Sequence, residues 1–355
     1  MLPFCFHAGC SRTLGVLLRV QAATRQLPCA GTSHRGAGSE AGGEAGGGHR
    51  CYRLTHRQLL RLRGRDTGAF LQGLVTNDVE DVVSRSREAL YCHLLNLQGR
   101  TMFDVILYRL HASQEEPTML IECDATLLDD IQKHLKIYKI RRKVDISLCP
   151  DLFVWAVLPS EQSIDASSDL EASGKKVLVC TRDPRTDAMG WRLVLSKIDS
   201  PLDVIPESRL GDIQDYHRHR YKIGIAEGVK DLPSGEAIPL ESNLVYMNGI
   251  SFTKGCYIGQ ELTARTHYTG VIRKRLMPIQ LDNSLPPGNV PEKAQIITES
   301  GKLAGRFRNY EGDVGLALIR LAYANEPLHV LTTGDVRVWL RASMPNWWPK
   351  DEKNK

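Results

Sequence analysis

From Lys274 onward, short apolar runs alternate with glycine turns, and this pattern restricts the fold more than any other feature. The predicted strands are Leu276–Gln280, Ala294–Thr298, Leu303–Phe307, Gly315–Leu321 and Val336–Leu340. Glycine turns at Gly301 and Gly334 separate them. Evenly spaced short strands with such turns are typical of a small closed β-barrel. We therefore expect a C-terminal β-barrel over residues 276–345 and a tail over 346–355.

The chain between residues 50 and 275 mixes strand and helix patterns, which indicates an α+β fold. The predicted strands are Glu88–Leu95, Met102–Leu110, Met119–Glu122, Phe153–Leu158, Lys176–Cys180 and Trp191–Leu195. The predicted helices are Thr67–Leu74 capped by Asp66, a helix that follows Asp124, and Asp212–Gly224. Residues 160–174 read as a polar loop. Residues 226–253 show little regular pattern, and so long an irregular stretch is usually functional.

Residues 1–49 do not read as part of a fold. No acidic residue precedes Glu40, arginines and hydroxyl residues are scattered, and residues 36–48 are rich in glycine and alanine. This composition is typical of a mitochondrial transit peptide. The alternative is a disordered tail that carries no targeting signal. Arg19 interrupts the short apolar run and argues against a secretory signal. We predict a transit peptide and disordered linker over 1–49, and a location in the mitochondrial matrix.

Composition excludes several classes of protein. The apolar fraction of 42% and charged fraction of 25% are ordinary for globular proteins. Of the net charge of +5, residues 1–50 carry +3, so no broad basic field for nucleic acid is left in the remainder. No apolar run approaches the roughly 18 residues of a membrane span. The nine cysteines form no C-x-x-C pair, which argues against a disulfide framework or a self-contained metal site.

The densest chemical segment surrounds Cys256. Its members are Lys254, Gly255, Cys256, Tyr257, Gly259, Gln260 and Glu261. The two glycines permit a tight turn or the close approach of a ligand. The Lys254 ammonium and the start of a predicted helix at 259–265 would both favour a thiolate over a thiol. The alternative is a buried structural cysteine. We predict that Cys256 is a metal ligand.

The sequence Lys-Gly-Cys-Tyr-x-Gly-Gln-Glu resembles the signature of the YgfZ-type proteins, which are relatives of the glycine-cleavage T-protein, an aminomethyltransferase. Four further segments, in the expected order, resemble other motifs of this family: residues 64–78, 96–104, 221–225 and 239–244. The resemblance covers roughly residues 50–345. Together with the leader, it indicates the mitochondrial branch that assists iron–sulfur cluster assembly.

The resemblance implies a three-lobed aminomethyltransferase-like fold around a central folate-sized cavity. Its first α+β lobe would combine residues 50–95 with 205–275, its second would comprise 96–204, and the barrel would be the third. The cofactor-binding residues that it implies are Asn77, Asp104, Asn243, Lys254 and Arg265. In this scheme Lys254 holds Cys256 as a thiolate, and Gln260, Glu261 and Arg265 shape the loop and helix beneath it.

The family also implies a function in assembly, with no catalytic residue. Clusters are held by several thiolates, so Cys256 would contribute one ligand to a [2Fe-2S] or [4Fe-4S] cluster shared with a partner. That partner would be an A-type iron–sulfur carrier protein, and [4Fe-4S] enzymes would be the recipients. The chain alone would be a monomer without a stable cluster.

Two alternatives stay open. Aminomethyltransferases carry an acidic doublet where this chain has Phe103–Asp104, and the glutamates of a second acidic stretch are largely replaced over residues 186–192. Because a transfer enzyme needs placed carboxylates, this loss argues against a folate-dependent aminomethyltransferase or related one-carbon transfer enzyme. It does not exclude tetrahydrofolate as a ligand. A thiol redox enzyme would need a resolving cysteine near Cys256.

His217 and His219 point to different helix faces, which argues against a metal site.

Overall fold

The protein was examined as a computed structural model, which describes residues 48–84, 86–110, 117–158 and 177–349. Its helices are α1 Thr67–Gln72, α2 Glu80–Val83, α3 Leu128–Lys139, α4 Ile213–Lys222 and α5 Gln260–Thr269. The strands before α4 are β1 Arg50–Arg53, β2 Arg57–Arg63, β3 Ala89–Leu95, β4 Thr101–Arg109, β5 Thr118–Asp124, β6 Asp145–Leu148, β7 Leu152–Leu158, β8 Val179–Arg182, β9 Trp191–Ser196 and β10 Arg209–Leu210. The predicted leader up to residue 47 and the predicted loop 160–174 lie outside the described residues.

The N-terminal sheet has the strand order β3-β4-β5-β2-β6. Strands β3 and β4 form the predicted hairpin, with Cys92 opposite Val105, and Gly99 closes the turn at a φ of 76°. The sequence pattern did not predict β2, because arginines occupy three of its seven positions. Helices α1, α2 and α3 cover one face of this sheet, where α3 buries Ile131 and Leu135.

The middle sheet has the order β10-β1-β7-β9-β8, and it packs against the other face of the N-terminal sheet. Leu120 of the N-terminal sheet and Val154 and Val194 of the middle sheet meet in this shared core. Tyr216 of α4 is completely buried in the same core. Burial of this apolar surface is the main force that holds the two sheets together.

Strand pairing divides the chain differently from the predicted lobes. All strands of the N-terminal sheet lie between residues 57 and 148, whereas β1 and β10 join β7, β8 and β9 in the middle sheet. The predicted boundary between residues 95 and 96 falls in the turn of the β3–β4 hairpin, whose two strands pair with each other. The division of the chain into lobes at this point stays a prediction.

The C-terminal strands β11 Lys274–Leu285, β12 Gln295–Thr298, β13 Leu303–Arg320, β14 Leu328–Leu331 and β15 Arg337–Ala342 close into a barrel. The predicted three-lobed α+β fold with a C-terminal barrel is thereby confirmed. The single strand β13 replaces two predicted strands, and β14 was not predicted. The predicted tail begins packed, since Trp347 Nε1 donates to the Ile223 carbonyl at 2.7 Å.

Of the two predicted helix caps, Asp124 is confirmed and Asp66 is not, and Asp212 also caps its helix. The side chains of Asp124 and Asp212 accept backbone N–H bonds from the residues two positions ahead. Asp66 makes no such cap, because its carboxylate accepts from the backbone N–H of Lys143 instead. Within the described ranges, no helix is both long and apolar enough to cross a bilayer.

Candidate functional site

Cys256 is exposed on the loop that precedes α5. Gly259 begins the helix at a φ of 78°, and its α-carbon faces the β3–β4 turn. A β-carbon at Gly259 would lie 2.4 Å from the Asn96 carbonyl oxygen, so glycine is required for this contact. The side chain of Gln260 turns back and accepts from the Tyr257 N–H at 3.1 Å. The cysteine loop is therefore held between the hairpin turn and the helix.

Lys254 anchors the other end of this loop. Its Nζ donates to the backbone carbonyls of Gln72, Val75 and Asn77 at 2.8, 2.7 and 2.6 Å. Burial lowers the pKa of Lys254 to about 8. All three N–H bonds of the ammonium are used in this way. Lys254 is therefore a clamp between the cysteine loop and the α1–α2 connection, and its effect on the Cys256 thiolate stays a prediction.

The other described cysteines occupy different environments. Cys51, Cys92, Cys123 and Cys149 are buried, whereas Cys180 is half-buried in β8. Burial raises the pKa of Cys123 to about 12 and that of Cys92 further, which keeps both protonated. Among the described cysteines, Cys256 is thus the exposed one.

The predicted cofactor-binding residues are only partly brought together. Asn77 contacts Lys254 through its carbonyl, and its side-chain amide donates to the carbonyls of Tyr91 and Asn248. Asn243 lies against the barrel instead, where its amide donates to the Leu276 carbonyl at 2.7 Å. Both asparagine side chains are buried and engaged in bonds to the protein.

Arg265 lies on the exposed side of α5, where it pairs with Glu261 at 3.5 Å. An exposed ion pair of this kind contributes little to stability. The arginine is one helix turn beyond Glu261, and its contact supports the predicted shaping of the helix surface. Its binding of a cofactor stays a prediction, as does the central cavity.

Asp104 belongs to a set of buried charges between the two sheets, here called the inter-sheet ion cluster. Its members are Arg57, Asp104, Glu122, Asp183, Arg185, Arg192 and Glu227. Asp104 accepts from Arg57 at 3.1 Å and from the Gly228 N–H at 3.2 Å. Both of its carboxylate oxygens are therefore engaged within the protein.

Glu227 is the centre of the inter-sheet ion cluster. It accepts from Arg185 and Arg192 at 2.7 Å each, from the Tyr216 hydroxyl at 2.8 Å, and it contacts His56 at 2.6 Å. Burial alone would raise the pKa of Glu227, but the two guanidinium groups outweigh it and hold this pKa well below its usual range. The carboxylate stays charged as a brace between the sheets and α4.

Sequence reasoning missed most of this cluster. Arg57, Glu122 and Arg192 stand at buried strand positions, where an apolar residue would be usual. Charges at such positions are the one sequence signal that could have indicated a buried ionic network, since isolated charges are seldom buried.

The two candidate histidines of α4 have separate partners. His217 accepts from Arg220 at 2.9 Å, and His219 bonds to the Ala188 carbonyl at 2.8 Å. In the part of the chain that the structure describes, no three His, Cys, Asp or Glu side chains are grouped to hold a metal ion.

Two face-packed sheets and a closed C-terminal barrel place the protein in the aminomethyltransferase-like fold class. The family model of the CAF17 C-terminal β-barrel domain matches residues 273–350. A solved structure with this fold is the glycine cleavage system aminomethyltransferase T of Bartonella henselae. It superposes with a TM-score of 0.65 at 12% identity, covering 85% of this chain and 87% of the bacterial chain.

Two relatives are similar over most of their length. The mitochondrial iron–sulfur cluster assembly factor IBA57 of Mus musculus is 50% identical over 311 residues, covering 85% of this chain and 86% of the mouse protein. Its Homo sapiens counterpart is 48% identical over 315 residues, covering 87% and 88%. The chain belongs to this family of mitochondrial proteins, which confirms the predicted family and mitochondrial location.

Proposed function

We propose that this protein assists iron–sulfur cluster assembly in the mitochondrial matrix, and that Cys256 supplies one thiolate to a cluster shared with a partner. The single observation that carries the proposal is the exposure of Cys256 on a loop fixed at both ends. Its family relatives are named as iron–sulfur cluster assembly factors. A thiolate on a fixed, accessible loop can enter the coordination sphere of a metal that arrives on another protein.

The support for a shared cluster comes from the arrangement of the cysteines. Four of the described cysteines lie in apolar cores, where burial opposes the thiolate that iron requires. Cys256 would therefore bind as a single ligand and release its proton, while thiolates of the partner hold the remaining iron positions. An A-type carrier is the proposed partner, and [4Fe-4S] enzymes are the proposed recipients.

The engagement of Asp104 supports assembly over one-carbon transfer. A transferase needs a carboxylate that is free to hold the amine or move a proton. Here one oxygen of Asp104 accepts from Arg57 and the other from the Gly228 N–H. With both oxygens engaged and the neighbouring acid of the doublet replaced by Phe103, the site favours a binding protein that lacks transfer activity.

Anaerobic reconstitution tests this function. The protein alone, an A-type carrier alone and the two mixed would each be supplied with iron and sulfide and then gel-filtered. We expect a new complex that contains cluster iron only in the mixture. A full cluster on the isolated protein, or no complex at all, would contradict the proposal. Turnover of tetrahydrofolate with an aminomethyl donor would instead establish the enzyme.

A further inference from the structure

The C-terminal end of α3 carries a concentrated positive charge. The α3 tip is defined here as residues 133–143, and its cations are Lys133, Lys136, Lys139, Arg141, Arg142 and Lys143. No acidic residue lies between 131 and 144. All six cations are exposed or half-buried, and they continue past the last helical residue, Lys139. The α3 tip is therefore a surface of high positive charge density on a chain whose folded part is nearly neutral.

Two isoleucines stand among these cations. Ile137 is 70% exposed and Ile140 is 82% exposed. Ile137 lies in the last turn of α3 and Ile140 is the first residue after it, so two exposed apolar side chains stand within four positions of one another at the helix end. Ile140 also has a φ of 42°, which a β-branched residue rarely adopts. Backbone strain that presents an apolar side chain to water is a sign of a binding surface, not of packing.

The charges that face the α3 tip from other elements do not cancel it. Asp130 contacts Lys133 at 3.7 Å, and the side chain of Asp66 accepts from the Lys143 N–H at 2.8 Å. The exposed Arg65 lies beside Asp66, with 3.9 Å between its Nε and the Asp66 carboxylate. Asp145 is the first residue of β6, the strand that follows the α3 tip. Basic residues in the last helix turn are favoured by the helix dipole, but this effect does not reach beyond the end of the helix. The helix dipole therefore does not account for the cations that follow Lys139.

We propose that the α3 tip docks the protein onto a membrane surface that contains anionic phospholipid. The isoleucines would enter the boundary between headgroups and acyl chains, while the long lysine and arginine side chains reach lipid phosphates. Protein interfaces are typically enriched in aromatic residues and arginine and depleted of lysine. The α3 tip has four lysines and two arginines around its two isoleucines, and its Tyr138 packs on the core of the N-terminal sheet, so its surface fits lipid better than an acidic protein. This inference is independent of the cluster-binding role of Cys256.

Vesicle flotation tests the proposal with the full-length protein. Phosphatidylcholine vesicles with and without phosphatidylglycerol would be floated, and the bound protein quantified. We expect binding only with phosphatidylglycerol, weakening as salt is raised. Lys136→Gln together with Lys139→Gln should reduce the partition coefficient about thirtyfold, since each cation near the surface is worth roughly fivefold. Ile137→Ser should reduce it about tenfold.

Matched variants control for the leader and for nonspecific adsorption. Ile198 is 91% exposed and lies beside Lys197, away from any basic cluster in sequence. Ile198→Ser and Lys197→Gln should leave binding unchanged, and the leader is common to all variants. Equal loss from Ile198→Ser, or no loss from Ile137→Ser, would overturn the proposal. Capture of an acidic protein without any vesicle binding would assign the α3 tip to a protein partner and equally refute it.

Discussion

Replacing Gly259 with alanine should loosen the Cys256 loop, whereas the same change at Gly255 should be tolerated. Both glycines flank the cysteine, but their surroundings differ. A β-carbon at Gly255 would meet nothing within 4 Å. At Gly259 it would lie 2.4 Å from the Asn96 carbonyl oxygen and 2.8 Å from the Leu95 β-carbon. Neither of these atoms can move without displacing the β3–β4 hairpin.

The expected magnitude has two parts. The φ of 78° costs an alanine about 1–2 kcal/mol, and the overlap with rigid atoms adds roughly 1–3 kcal/mol. Gly259→Ala should therefore lower the free energy of unfolding by about 2–5 kcal/mol. Gly255→Ala should change it by less than about 0.5 kcal/mol. Gly288 has a φ of 79° and open space around it, so Gly288→Ala isolates the backbone cost.

Urea unfolding of the four proteins measures these energies. Peptide-resolved maleimide labelling then reports the exposure and mobility of Cys256. We expect the labelling rate to change in Gly259→Ala and to stay constant in Gly255→Ala and Gly288→Ala. If Gly259→Ala costs no more than Gly288→Ala, the contact between the helix start and the hairpin does not hold the loop, and this reasoning is refuted.

Three further predictions follow from buried groups. Lys254→Met should cost about 3 kcal/mol in urea unfolding, because it leaves three backbone carbonyls without their donor; a loss below about 1 kcal/mol would contradict the clamp. Glu227→Gln should cost about 3–5 kcal/mol, because the buried Arg185 and Arg192 each lose one of the carboxylates that neutralise them. A neutral effect would show that the cluster relaxes or hydrates. Burial lowers the pKa of both His93 and His217 to about 3, below the unfolded value near 6.5. The unfolded chain then binds more protons, so stability should be complete above about pH 6.5 and fall by up to about 2.7 kcal/mol per unit between pH 6 and 4. A flat profile there would exclude neutral buried histidines.

The elements predicted correctly are those whose pattern is local. The hairpin at Gly99, the amphipathic face of α3 and the helix after Asp212 each follow from residues within a few positions of one another. The barrel was also predicted, from apolar runs separated by glycine turns, although two of the predicted strands form the single 18-residue strand β13. The pairing of β1 with β7 joins segments about 100 residues apart. Such a pairing leaves no local signal in the sequence, so the division of the strands between the two sheets could not be predicted.

The segment around Cys256 could be singled out from the sequence, but the contacts that hold it in place could not. The segment around Cys256 stands out by composition, and its exposure agrees with a ligand role. The role of Lys254 could not be predicted, because its three acceptors belong to a connection about 180 residues earlier. The same holds for Asp104, whose partners Arg57 and Gly228 lie 47 residues before it and 124 residues after it in the chain.

The most direct test of the central claim is carrier-dependent cluster binding by Cys256→Ser. Serine preserves the shape of the side chain but stays protonated near neutral pH, so it replaces a thiolate ligand poorly. The half-buried Cys180→Ser serves as a matched control, and urea unfolding would be measured on the same preparations. The account predicts that Cys256→Ser keeps its stability and forms no shared cluster, while Cys180→Ser forms it normally. A well-folded Cys256→Ser protein that still shares the cluster would contradict the account.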